Sequence, residues 1–144
     1  MHANRSRKSQ LATPRQRRNG RRAAAVVELA VCLPLLTLIM LGTIETCNMM
    51  FVGQSLKITA YEGARVGVVP TSKAENVEYQ CQLLLDAHGV KGYDVSMNPS
   101  DPGSLGEDDY FQVTVSAPFD SNSLLGGYLF SGKTLTRTVS LRAR

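Results

Sequence analysis

Glu28 is the residue of this 144-residue chain whose surroundings demand most of its chemistry. It stands inside Ala23-Ala24-Ala25-Val26-Val27-Glu28-Leu29-Ala30-Val31-Cys32-Leu33-Pro34, directly after a basic arm that ends at Arg21-Arg22. Carrying a carboxylate into hydrocarbon costs a few kcal/mol unless it is paired or neutralised, so a glutamate in an apolar run points to a charge partner. The competing reading is a glutamate at headgroup level whose side chain reaches water.

The other reactive side chains do not gather into a reaction centre. Cys32 lies in the apolar run, where a thiol packs as a small hydrophobe. Cys47 and Cys81 lie beyond it. On an oxidising side of the membrane they are expected to form a disulfide, if a second helix folds back beside the first. There is no CxxC or His-Cys grouping, so no metal site is expected. His2 sits in the arm and His88 near a helix end, where an imidazole favours the dipole without being a base or a ligand. Glu107, Asp108 and Asp109 lack the spaced ligands and central glycine of a calcium loop. Phosphate-binding and nucleophile-elbow motifs are both missing. The expectation is a protein with no catalytic residues and no cofactor.

The elements that must position Glu28 follow from charge and hydropathy. Of the 16 Lys and Arg, eight fall within residues 1–22, and no acidic residue precedes Glu28. Residues 23–144 carry eight basic and twelve acidic residues, a net charge of −4 against +4 for the whole chain. Residues 1–20 have too little apolar surface to fold and read as an unstructured leader. From Leu29 to Ile44 no residue is charged. With residues 23–28 this run reaches the roughly 20 residues that cross a bilayer. Pro34 removes a helix hydrogen bond and predicts a kink. Basic residues flanking such a span stay cytoplasmic, which places the following domain outside the cytoplasm. Nucleic-acid binding by the arm is disfavoured, because it has no aromatic residue to stack on bases and the rest of the chain is acidic. A secretory cleavage site would require a better motif than Leu41-Gly42-Thr43-Ile44-Glu45-Thr46, and Glu45 spoils a lipoprotein signal before Cys47.

Beyond the span, Met49, Val52, Leu56, Ala60, Gly63 and Gly67 recur at helical spacing and predict a helix that Pro70 ends. Its small residues Ala60, Gly63, Ala64 and Gly67 allow another element to approach closely. Ser72-Lys73-Ala74-Glu75 has the form of a capping box for a second helix with Ala74, Val77, Cys81, Leu84 and Leu85 inward and Gly89 as its stop. Period-two alternation then predicts strands at Tyr93–Met97, Phe111–Ala117 and Leu135–Leu141. The apolar, glycine-broken stretch 124–130 is either a contact loop or a closure of the core.

The basic arm, the small residues at its end and Glu28 six residues before Pro34 resemble the TadE family of minor pseudopilins from tight-adherence pilus systems. Ala60-Tyr61-Glu62-Gly63-Ala64-Arg65-Val66 is similar to a Glu-Gly-Ala-Arg run in that family. Ala117-Pro118-Phe119-Asp120 and Gly132-Lys133-Thr134-Leu135-Thr136 are similar to its closing segment. Glu62 and Arg65 themselves read as a solvated ion pair beside a packing stripe.

The resemblance implies a leader cut by a prepilin peptidase between Ala23 and Ala24, with Glu28 fifth after the cut and paired with the new N-terminal amine, its own or a neighbouring subunit's. It implies membrane lipid, the peptidase and other pilins or pseudopilins as partners, and no nucleic acid. The expected fold is α+β: a long N-terminal transmembrane helix, a second short helix and a small three-stranded antiparallel sheet on a pilin-like plan. The expected divisions are 1–23 leader, 24–46 transmembrane helix and 47–144 extracytoplasmic domain. The expected function is a membrane-anchored structural subunit for pilus assembly. A single-pass anchor with a partner-binding outer domain is the alternative.

Overall fold

A computed structural model describes residues 14–143, with side chains from residue 21 to 143. Most of the basic arm therefore lies outside the described side chains. Helix α1 runs Pro14–Gly67, α2 Ala74–Ala87, and the strands are β1 Asp94–Asn98, β2 Tyr110–Pro118 and β3 Thr134–Arg142. The order is the expected ααβββ. The chain divides into two compact units at Leu41/Gly42, within α1.

The first unit, residues 1–41, holds the apolar part of α1. Its side chains from Val26 to Leu41 are exposed, including Leu29, Leu33, Leu36 and Ile39. The most apolar window of α1 has a mean hydropathy of 2.4, with none of it buried, and by length and composition it is sufficient for a single membrane span. An all-round apolar helix without a protein partner is what hydrocarbon surroundings require. Helical assignment begins at Pro14, so residues 14–20 of the expected unstructured leader have helical backbone. Proline suits a first helical position, where its missing N–H has no carbonyl to serve. The helix also continues through Pro34.

In the second unit, β2 is the central strand of a three-stranded antiparallel sheet ordered β1-β2-β3. Val95 pairs with Val115 and Met97 with Val113 on one side. Phe111 pairs with Leu141 and Val113 with Val139 on the other. Strict alternation in β2 sends Phe111, Val113, Val115 and Ala117 into a single core with Val52, Leu56, Ala60 and Ala64 of α1 and Val77, Cys81 and Leu85 of α2. The outward face is polar, with Thr114 and Thr138 hydroxyls 2.9 Å apart.

Two local details differ from the sequence reading. The α1 helix ends at Gly67, three residues before Pro70. There the Phe111 ring lies where a side chain at position 67 would stand, so the last helical residue has to be glycine, and the Val68 N–H still bonds the Ala64 carbonyl at 3.1 Å before the chain turns toward Pro70. Ser72 does not cap α2. The N-cap is Lys73, whose side chain makes no capping bond, and the Ser72 hydroxyl is buried without a partner. The stop of α2 is as expected: Gly89 has φ +69° and the Val90 N–H bonds the Leu85 carbonyl at 3.0 Å, a left-handed closure that glycine favours.

Candidate functional site: the carboxylates of the long helix

The long helix carries Glu28, Glu45 and Glu62, and their surroundings differ. Glu28 is exposed on the apolar part of α1, one helical turn after Ala24. Among the described residues the ion pairs are Arg65–Glu62 and Arg142–Asp108, so Glu28 has no cationic partner there. Ala23 and Ala24 are exposed and helical. Positions four apart share a helix face, so an amine created at Ala24 would stand over Glu28 on its own helix or meet a neighbour's.

Glu62 and Arg65 behave as a surface pair 3.6 Å apart, with side chains 33% and 69% exposed. Such a pair is worth a few tenths of a kcal/mol. The residues between them set the packing. Ala64 is fully buried, and a Cβ on Gly63 would come within 2.5 Å of the Cys81 sulfur. The Glu-Gly-Ala-Arg run is thus where α2 and the sheet meet α1.

That contact also corrects the expected disulfide. Cys81 is buried, with its sulfur 3.9 Å from the Thr59 carbonyl, while Cys47 is exposed, and both are free. Twelve residues of helix separate Cys47 from Thr59, about 18 Å at 1.5 Å per residue, far beyond disulfide reach. The second helix does fold beside the first, but its cysteine docks near Gly63. Burial, with the nearby Glu78 charge, pushes the Cys81 thiol up to about 11. In the detergent-solubilised chain at pH 8, thiol-directed alkylation is expected to label Cys47 and to spare Cys81 until denaturation, since a rise of two pKa units removes about 99% of the remaining thiolate. Peptide mapping reads this directly. Labelling of native Cys81 at the rate of Cys47 would contradict the packing.

Glu45 was not expected as a site. It is fully buried. The Ser123 hydroxyl donates to its Oε1, while Oε2 is buried without a partner. The same Ser123 oxygen accepts the N–H groups of Leu125 and Gly127, at 3.2 and 2.7 Å. Asn48 donates to the Asn122 carbonyl at 2.7 Å nearby. Glu45 therefore fastens the segment after β2 to α1, from 78 residues away in sequence. Its only sequence signal is its place at the end of the uncharged run.

No group of three or more metal-ligating side chains occurs among the described residues. A cleft of about 320 Å³ between Pro70 and Pro102 has Glu107 as its one ionisable side chain.

A single apolar helix of spanning length leading into an α+β domain, whose sheet packs on the helix's small-residue stripe, defines a pilin-like arrangement. The family model described as TadE-like protein matches residues 23–65, from the small residues before Glu28 to Arg65, and over this segment the chain is similar to that family. No curated protein and no solved structure matches the chain.

Proposed function

We propose that this protein is a membrane-anchored, pseudopilin-like structural subunit for the assembly of a tight-adherence pilus. The basic leader stays cytoplasmic, a prepilin peptidase cuts between Ala23 and Ala24, and residues 47–144 form the extracytoplasmic domain. Glu28 then pairs with the Ala24 amine of its own or a neighbouring subunit. Lipid surrounds the span, and other pilins or pseudopilins of the same system are the protein partners.

The observation that carries this reading is a carboxylate exposed on the apolar part of α1, without a cationic partner among the described residues. In hydrocarbon that arrangement requires a partner from outside these contacts. A newly formed amine one turn away meets the requirement at no structural cost. The family match begins at residue 23, adjacent to the proposed cut. The reading is tested by the N-terminal residue of the protein extracted from its native membrane. Ala24 is expected. A mature protein that still begins at Met1 would leave Glu28 without its amine and would favour a plain single-pass anchor.

A further inference from the structure

We propose that the turn after β2, residues 124–129, is a membrane-interface anchor that seats the outer domain in the lipid headgroup layer through Leu124, Tyr128 and Leu129. This rests on the span of α1 and not on the pilus role.

The turn is held in a defined shape. Ser123 links it to Glu45 while accepting the N–H groups of Leu125 and Gly127. At the far end the Gly132 N–H bonds both oxygens of Asp120, at 3.1 and 2.9 Å. Gly126 and Gly127 have φ of +69° and +79°, the left-handed region that glycine enters most easily. Within this frame the apolar residues divide. Phe130 turns inward and meets Phe119 edge to face at 6.1 Å between ring centroids. Leu124, Tyr128 and Leu129 turn outward, with 66%, 92% and 53% of their surfaces exposed. The core does not use them.

Their level along α1 identifies what does. Glu45 directly follows Ile44, the last residue of the uncharged run. Residues 23–44 span about 33 Å as helix, close to the roughly 30 Å of a hydrocarbon core. Glu45 thus stands at the edge of the hydrocarbon, and the turn bonded to it lies in the interfacial layer. Tyrosine is enriched there because its ring is apolar and its hydroxyl is wet. The Lys133 ammonium lies 5.5 Å from the centre of the Phe130 ring, at the same turn, where a flexible cationic stem can reach lipid phosphates. The nearby acid, Asp120, is engaged by the Gly132 N–H.

The chain contains no tryptophan, so single-tryptophan variants of the full chain report position without background. Tyr128→Trp, Leu38→Trp and Tyr79→Trp are each reconstituted into phosphatidylcholine–phosphatidylglycerol vesicles whose acyl chains are brominated near the headgroup. Tyr79 lies on α2 and is 67% exposed, close in sequence to the residues that pack at Gly63, about 27 Å along α1 from Glu45. The Tyr128→Trp and Leu38→Trp chains are expected to lose most of their emission, and the Tyr79→Trp chain little. Adding Leu124→Ser and Leu129→Ser to Tyr128→Trp is expected to restore part of the emission.

Full emission from Tyr128→Trp beside a quenched Leu38→Trp would overturn the anchor and leave the span intact. Unquenched Leu38→Trp would overturn both. Emission from Tyr128→Trp that resists bromine and shifts to the blue as protein density rises would assign the turn to a second copy of the chain and overturn the lipid assignment.

Discussion

Glu28→Gln and Glu28→Val are each expected to leave expression, membrane insertion and processing at wild-type levels and to abolish co-assembly with the other subunits of the pilus system. Neither substitution touches the basic arm or Ala23 and Ala24, so insertion and cutting should proceed. What is removed is the one negative charge on the apolar part of α1, with no partner among the described residues. An intramembrane charge that finds its counter-ion is worth on the order of 3 kcal/mol, more than a hundredfold in an association constant. Gln retains hydrogen bonding and nearly the same volume, so its failure would isolate the charge, whereas Val alone would not. The measurement is recovery of partner pilins with the variant from membranes at equal expression. Unchanged recovery with either variant would reduce Glu28 to an interfacial glutamate.

Gly67→Ala should destabilise the outer domain by about 2–3 kcal/mol, although alanine is the better helix former by about 1 kcal/mol at an interior position. The sign is decided by Phe111. A Cβ at position 67 would stand inside the van der Waals surface of the Phe111 ring, and that ring is fully buried against rigid neighbours. For a domain of this size each kcal/mol lowers the melting temperature by about 4–8 °C, so the shift is readable in the solubilised full chain. Gly53→Ala supplies the contrast. Its Cβ would meet the flexible end of Arg137 at 3.2 Å, which can swing away, and the variant should be neutral to stabilising by up to about 1 kcal/mol. Phe111→Leu is expected to destabilise alone and yet to recover part of the loss when added to Gly67→Ala, the non-additivity expected of two residues in contact. A stabilised Gly67→Ala variant would show that the ring does not rest on that glycine.

The sequence by itself determined the elements and their order, because each carries a periodic signal strong enough to survive without context. An uncharged run marks the helix of spanning length, three-and-four spacing its continuation, and alternation at Phe111, Val113, Val115 and Ala117 the central strand. The Glu-Gly-Ala-Arg run was legible as a packing stripe, since only small residues permit close approach. Pairing across long sequence separations was not legible. Cys47 and Cys81 were plausible partners by compartment, and only the docking of α2 near Gly63 decided that about 18 Å of helix keeps them apart. Ser72 matched a capping pattern that the placement of α2's first turn did not use. Glu45 figures in the sequence only as an acid that spoils a lipoprotein signal, because nothing local connects it to Ser123 across 78 residues. Whether 124–130 faces core or solvent depends on which of its side chains the folded sheet has room to accept. The tertiary structure took in Phe130 and left Leu124, Tyr128 and Leu129 outside, for local pattern encodes a residue's wish for burial but not the neighbour that grants it.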